Sequence, residues 1–513
     1  MSATWTLAGV VRDNRRLRPD AVAVAADGST MSWVELDRRS NRVATALARA
    51  GVGPGDRVAF VDKNSPEYFE VLFGAAKLGA VTVAVNWRLA PPEMGYIVGD
   101  AGAPVLAVAA EFARLVPSMG LSDGVEVVAG DEYESWLGPG DSADPGHEAS
   151  PGDVALQLYT SGTTGLPKGV MLTQSNFEGL LGGLTRAWRL DETSVNLVAM
   201  PLFHIGGSGW ALAGMTAGAT SVVVREVVPD RLVAEMERLG VTNAFLVPAV
   251  LSMLAAVPGA RERDWSALRC ITYGASPITD DALVKAMDTF RCDFAQLYGL
   301  TETTGAITQL DPADHDPNGP RARLLRSAGR PYPWVALRVV DPETGAEVPT
   351  GSVGEVCTSS AQNMAGYWNN PTATGETVDA EGWLRTGDAG LVDAEGYLFL
   401  TDRIKDMIVS GGENVFPAEV ENVLAAHPGV ADVAVIGVPH ERWGETVKAV
   451  VVAAGDAPPD GSDLIAFARE RLAHFKCPTS VDFVDVLPRN PSGKVLKREL
   501  REPYWRGLDR HVN

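Results

Sequence analysis

The strongest constraint on the fold is a repeated alternation of short apolar runs with helical stretches. Arg57–Val61 is strand-like, Glu67–Leu78 helical, Val81–Val85 strand-like again, and Pro104–Ala109 follows a second helical pattern. Further β-branched or apolar runs follow at Val154–Tyr159, Leu197–Met200, Ser221–Val224, Ala244–Val247, Cys270–Tyr273 and Phe294–Tyr298. Continuous apolar runs suit strands covered on both faces, and strands spaced by helices predict βαβ units in a parallel sheet. A chain of 513 residues built this way exceeds one domain. The expected class is α/β.

The pattern changes twice. Past the loop-rich stretch 311–323, shorter β-like runs at Ala336–Val340, Glu355–Thr358 and Tyr397–Leu400 suggest a barrel-like part. After Asp402-Arg403 come about 110 residues with their own strand and helix signals, enough for a small α+β domain. The expected division is therefore 1–402 and 403–513.

Composition excludes several classes. The chain has 44 Lys and Arg against 65 Asp and Glu, a formal net charge of −21, and that field repels nucleic acid and anionic membranes. Most of the excess acidity lies before residue 403. Cys270, Cys292, Cys357 and Cys477 are too far apart for a zinc clip or a redox pair. Residues 193–224 carry no charge, but Pro201 and the glycines from Gly206 to Gly218 break the stretch, which reads as a buried strand, a bend and a buried helix. The N-terminus lacks the basic start of a secretory signal. A soluble cytoplasmic protein is expected.

The densest chemical signal is Tyr159-Thr-Ser-Gly-Thr-Thr-Gly-Leu-Pro-Lys168-Gly, read as following a strand and preceding a helix. Gly162 and Gly165 admit close backbone approach, Ser161, Thr163 and Thr164 add hydroxyls, and Lys168 adds charge, a set suited to polyphosphate. A P-loop NTPase is excluded, because the Gly-to-Lys spacing is wrong and the hydroxyl after the lysine is missing.

Other stations follow in order: Pro201-Leu-Phe-His204, Gly274-Ala275-Ser276-Pro277, Tyr298-Gly299-Leu-Thr301-Glu302, Gly382-Trp-Leu-Arg-Thr-Gly-Asp388, Asp402-Arg403-Ile-Lys405, Gly411-Gly412-Glu-Asn-Val-Phe-Pro417 and Asn490-Pro-Ser-Gly-Lys494. The ordered set resembles the adenylate-forming superfamily of acyl-CoA synthetases, luciferases and peptide-synthetase adenylation domains. Within it, Ser410-Gly-Gly-Glu-Asn-Val-Phe-Pro is most similar to bacterial fatty-acid–CoA ligases.

That resemblance implies ATP, Mg²⁺ and CoA as partners of a carboxylic acid. The 160–168 loop would hold the β- and γ-phosphates, and Thr160 with Glu302 the Mg²⁺. Gly274, Ala275 and Ser276, with Gln296, Leu297, Tyr298, Gly299 and Thr301, would enclose AMP; Asp388 and Arg403 would bind ribose or phosphate. Lys494 would be the catalytic lysine, carried by a small domain that rotates about Lys405 and then presents Gly411 and Gly412 to the CoA tunnel. His204, Gly206, Gly207 and Tyr298 would line the acyl pocket, with His204 gating rather than acting as a base, since an ionised carboxylate needs none. The glycines after His204 favour a medium- or long-chain, or bulky apolar, acid.

Two positions depart from particular branches of the family. Val409 stands where plant 4-coumarate ligases carry lysine, and Ser208 where some long-chain synthetases place a gating tryptophan. Alternatives are an acyl-AMP ligase serving a carrier protein, which would carry an insertion before the small domain, and an aryl-acid CoA ligase. An amino-acid adenylating enzyme would need an acidic residue for the substrate ammonium, and none occurs in Phe203–Gly214. A non-catalytic nucleotide-binding scaffold would have lost Glu302 or Lys494. A homodimer and peripheral membrane contact are left open.

Overall fold

The computed structural model describes residues 5–140, 142–161, 166–403, 406–410, 413–440, 443–455, 459–489 and 495–506; for 161, 186, 402, 403, 409, 413 and 414 it describes the backbone alone. The chain forms two compact units, Met1–Ala336 with Thr358–Leu384, and Leu337–Cys357 with Arg385–Asn513. The second unit thus takes in stretches before residue 403, which the sequence reading assigns to the larger domain.

The first unit holds two sheets. One has seven strands, in the order β18 (Gly366–Tyr367), β8 (Pro167–Thr173), β7 (Val154–Ser161), β4 (Val81–Ala84), β3 (Arg57–Val61), β5 (Val105–Val108) and β6 (Glu126–Ala129). From β7 to β6 the strands are parallel, whereas β8 and β18 are antiparallel additions. The other has nine strands: β15 (Arg330–Pro331), β14 (Gly305–Leu310), β13 (Asp293–Leu300), β12 (Cys270–Gly274), β11 (Asn243–Leu246), β9 (Val195–Val198), β10 (Thr220–Val223), β1 (Val22–Ala26) and β2 (Ser29–Ser32). Its six strands from β13 to β1 are parallel. Every residue of β3, β4, β5, β11 and β12 is buried, as strands covered on both faces require.

Helices α1 (Leu7–Leu17), α2 (Trp33–Arg49), α3 (Pro66–Leu78) and α4 (Pro91–Ala101) show how local chemistry sets these elements. Ser32 and Glu35 form a reciprocal capping box that starts α2. Pro66 starts α3, and Gly79 ends it at φ +80°. Gly74 lets α3 close on α2, since a Cβ there would lie 2.6 Å from Val43. Lys77 of α3 is fully buried; its ammonium donates to Asp37 Oδ1 at 2.6 Å and Asn41 Oδ1 at 2.7 Å, both on α2.

In the second unit, the part expected to be barrel-like is a four-stranded sheet: β16 (Ala336–Val340), β17 (Gly354–Ser359), β19 (Leu384–Val392) and β20 (Leu398–Arg403). The smaller α+β part has β22 (Glu413–Val415), β21 (Ile408–Ser410), β24 (Gly444–Ala453) and β23 (Val430–His440) in that order, with β25 (Ser480–Phe483) parallel to β24. Alternate residues of β23 feed two cores. Val435 packs with Ile408, Val420 and Leu464 on one face, and Ala434, Ile436 and Val438 pack with Leu487 and Leu500 on the other. Among the described residues no helix is long and apolar enough to cross a membrane.

Candidate active site

The loop expected to hold phosphate does not open on a helix. It joins β7 to β8, antiparallel strands in which Thr160 lies opposite Lys168 and Ser161 opposite Pro167. The helix Gln174–Ala187 starts only after β8 ends. Pro167-Lys168-Gly169 reads as a turn in isolation, but pairing with β7 extends it; Gly169 is needed because a Cβ there would meet Gln157 Nε2 at 2.6 Å. Among the described residues no helix begins at this loop, and Lys168 is the cation its flanking strands supply. Gly162, Thr163, Thr164 and Gly165 lie outside the described residues.

The base of this hairpin is fixed by a chain of polar groups, buried at Arg57 and Gln157 and half-buried at Tyr159 and Asp100. Tyr159 donates to Asp100 Oδ2 of α4 at 2.6 Å, Gln157 donates to the Tyr159 hydroxyl at 3.2 Å, and Arg57 donates to Gln157 Oε1 at 3.1 Å. The Arg57 guanidinium lies 3.5 Å from the ring centroid of Trp368, whose indole donates to the Asp100 carbonyl at 3.0 Å. Burial, then the bond to Asp100, pushes the Tyr159 phenol far above its ordinary pKa, so it remains a donor.

Glu302 reaches the same place from the other sheet. Gln296, Leu297, Tyr298 and Gly299 lie on β13, and the chain reverses through a 3₁₀ turn, Thr301–Thr303, into β14. Gly299 admits the Gly305 carbonyl, which a Cβ would meet at 1.8 Å; Thr304 sits at φ +56°. The turn is tied by Thr303, whose hydroxyl accepts from Leu300 N at 2.9 Å and donates to the Gly305 carbonyl at 2.7 Å. Glu302 Oε1 accepts from Thr160 Oγ1 at 3.3 Å and from the Tyr367 hydroxyl at 3.0 Å. The expected pair, Thr160 and Glu302, is therefore together, and Tyr367 is a third member that the sequence reading missed.

The turn after β12 is the next wall. Gly274 lies against the Leu297 carbonyl, which a Cβ would meet at 2.2 Å, and Ala275 is held at φ +67°, strained for a residue with a side chain. Ala275 and Ser276 are exposed. Gln296, paired with Tyr273 across β12 and β13, has its Oε1 buried with no hydrogen-bond partner. An orphaned buried acceptor is what an adenine amino group would satisfy.

His204 caps the helix Ile205–Ala217, and its Nε2 is also buried without a partner. Burial first, then the charge of Arg88, lowers its pKa to about 4, so the imidazole is neutral at physiological pH. Gly206 faces the Phe245 ring, which a Cβ would meet at 2.9 Å. One turn on, Trp210 packs between Phe245 and Trp188, ring centroids 6.1 and 5.2 Å away and tilted by 38° and 39°, its indole donating to the Leu197 carbonyl at 3.0 Å. Gly207 differs from the expected pocket residue. A Cβ there would meet the carbonyls of Pro201 and Met200 at 2.1 and 2.6 Å, so it serves close backbone approach. The helix face bearing Gly206 and Trp210 is sealed against the sheet, whereas Gly305 (φ +121°) would bring a Cβ to ordinary contact with Leu180 and Ile205.

In the second unit, Asp388 of β19 is paired directly opposite Arg403 of β20, and the Asp388 side chain is buried. Lys405, Gly411, Gly412 and Lys494 lie outside the described residues. Among the described residues no three His, Cys, Asp or Glu gather as a metal site. One carboxylate and one hydroxyl suit a hard cation such as Mg²⁺ that takes its remaining oxygens from phosphate and water.

Sheets that bring a hydroxyl-and-lysine hairpin, a carboxylate turn and a strained open turn to strand ends define a nucleotide-binding α/β enzyme. The chain belongs to the AMP-binding enzyme family: that family's model matches residues 11–368, and the AMP-binding enzyme C-terminal domain matches 419–494. It is 45% identical to a fatty acid–[acyl-carrier-protein] ligase of Streptomyces coeruleorubidus, over 96% of each chain. It is 40% identical to a feruloyl-CoA synthase of an Amycolatopsis species, over 95% of this chain and 97% of that one. ATP-bound MatB from Rhodopseudomonas palustris superposes with a TM-score of 0.88 at 30% identity, covering 98% of this chain and 100% of that structure. The protein is an adenylate-forming enzyme of the acid–thiol ligase class.

Proposed function

We propose that the protein is an acyl-CoA synthetase for an apolar carboxylic acid. A carboxylate oxygen attacks the α-phosphorus of ATP, and the bond to the bridging oxygen breaks to release pyrophosphate. The CoA sulfur then attacks the acyl carbon of the mixed anhydride so formed; its acyl C–O bond breaks, AMP leaves, and the thiol proton passes to solvent. The observation that carries this reading is the convergence of Thr160, Glu302 and Tyr367 with Lys168 at the junction of the two sheets.

Both reactants of the first step are anions, so the site must neutralise and align charge. Mg²⁺, held by Glu302 and Thr160, would supply positive charge beside the phosphates. Lys168 contributes a cation on the loop. Lys494, by family resemblance, would meet the reacting carboxylate, carried there by rotation about Lys405, after which Gly411 and Gly412 approach the thiol path. Asp388 and Arg403 would hold the ribose. Neutral His204 supports a gating role, because it offers no charge to the carboxylate.

The apolar surroundings of His204 favour an apolar acid. The sealed Gly206–Trp210 face directs the acyl group towards Ile205 and Gly305, which favours a compact or planar acid over a long straight chain. Use of ATP and CoA fits a cytoplasmic enzyme. A carrier-protein thiol is the second reading, and the similarity to the fatty acid–[acyl-carrier-protein] ligase favours it.

The test is AMP release over a panel of aryl and C4–C16 acids, with CoA, with a phosphopantetheinylated carrier protein, and with neither. AMP formation stimulated by CoA supports the first reading, and stimulation by the carrier alone supports the second. Lys494→Ala should abolish pyrophosphate formation and spare thioester formation from supplied acyl-adenylate; equal loss of both steps would overturn the rotation.

A further inference from the structure

Residues 361–368 form a strap between the two sheets of the first unit. On the nine-stranded side, Met364 N donates to the Glu302 carbonyl at 2.8 Å, and Gln362 Nε2 donates to the carbonyls of Thr303 and Ala306 at 2.9 and 2.8 Å. On the seven-stranded side, Ala365 N and Trp368 N donate to the carbonyls of Met171 and Gly169 at 3.1 and 2.7 Å, and Tyr367 pairs with Val170. Gly366 makes the bend at φ +142°, where a Cβ would strike Thr374 at 2.8 Å. The strap thus fixes the carboxylate turn and the phosphate hairpin to one frame, and Tyr367 is the residue whose side chain reaches both.

The two hydroxyls that bind Glu302, those of Thr160 and Tyr367, converge on Oε1. No described residue hydrogen-bonds Oε2. Two donors on one oxygen restrain the carboxylate, and among the described residues its second oxygen is left open. The Tyr367 ring also lies 5.0 Å from the Lys168 ammonium, which has no carboxylate partner among the described residues. An aromatic face steadies a cation without neutralising it, leaving the charge available to an anion.

We propose that Tyr367 is a positioning residue for adenylation: its hydroxyl fixes Glu302 with one oxygen open to the metal–triphosphate, and its ring seats Lys168 unneutralised. This rests on the adenylating reading above, and the experiment separates the two. ATP and AMP binding to the full-length protein are measured by calorimetry with and without Mg²⁺, alongside acid-dependent ATP–pyrophosphate exchange, for the native protein, Tyr367→Phe and Tyr367→Leu.

In Tyr367→Phe the Mg²⁺-dependent gain in ATP affinity should fall about tenfold, the size of a lost hydrogen bond to a charged group. AMP affinity should stay within about twofold, and exchange should lose kcat with little change in KM for the acid. Tyr367→Leu, which also removes the ring, should weaken ATP binding further even without Mg²⁺. A phenylalanine variant with the native Mg²⁺ gain overturns the proposal. So does equal loss of AMP and ATP binding, which marks a purely structural residue. If the native protein shows no exchange with any acid, the adenylating reading falls, and calorimetry still decides the role of Tyr367. Should the leucine variant fail to fold, the phenylalanine variant suffices.

Discussion

The hydroxyl of Tyr159 donates to Asp100 Oδ2 at 2.6 Å, tying the last turn of α4 to the strand that delivers Thr160. The hydroxyl also accepts from Gln157, so it is a node rather than an end. Tyr159→Phe leaves the Asp100 carboxylate and the Gln157 amide short of a partner. The variant should lose about 1–3 kcal/mol of stability, read by urea unfolding, and raise KM for ATP several-fold. Unchanged KM for ATP would mean that the loop is set from elsewhere.

His204 makes stability depend on acidity. Its pKa is lowered to about 4 in the fold, against about 6.5 in an unfolded chain, so between these values the unfolded state binds more protons. Its contribution is therefore fully present above about pH 6.5 and is lost as the pH falls towards 4, by at most about 3 kcal/mol. Denaturant unfolding at several pH values should show His204→Phe with a shallower slope through this window. The same variant should retain adenylation at neutral pH, since the imidazole is not a base.

Lys77, unlike neutral His204, is a buried cation, and its task is structural. It is fully buried against Asp37 and Asn41, and Asp37 also meets Arg15 at 3.0 Å. Lys77→Met should cost about 3–5 kcal/mol by leaving the Asp37 carboxylate buried with half its compensation. Thermal unfolding reads the loss, and activity of the surviving folded fraction should be near native.

The sealed face beside His204 predicts selectivity. Phe245→Leu frees space over Gly206 and should raise kcat/KM for longer or bulkier acids relative to short ones by about tenfold. Gly207→Ala should instead destabilise by about 1–3 kcal/mol without shifting preference, because its Cβ would meet the Pro201 and Met200 carbonyls. A preference shift in Gly207→Ala, measured on the same panel, would put that glycine back in the pocket.

Much of the core was legible because strands buried on both faces announce themselves as runs such as Val81–Val85. The β1–β2 hairpin was missed, although Asp27-Gly28 is a turn dipeptide; the structure holds these two residues at φ +47° and +79°. β8 was not legible, since its extension depends on register with β7 rather than on Pro167-Lys168-Gly169. Thr160 and Glu302 could be placed together by family pattern. Tyr367 could not, because its meaning lies in a carboxylate 65 residues earlier. Lys77 ends a helix like any solvated lysine, and only the packing of α2 shows it buried.

The strap at 361–368 also orders the birth of the site. During synthesis the phosphate hairpin emerges first and the Glu302 turn much later, but neither is fixed to the other until Tyr367 has left the ribosome. Every shorter nascent chain can form βαβ units without a finished ATP site. On the proposed reading, the metal–triphosphate site would be complete only once most of the first unit has been made.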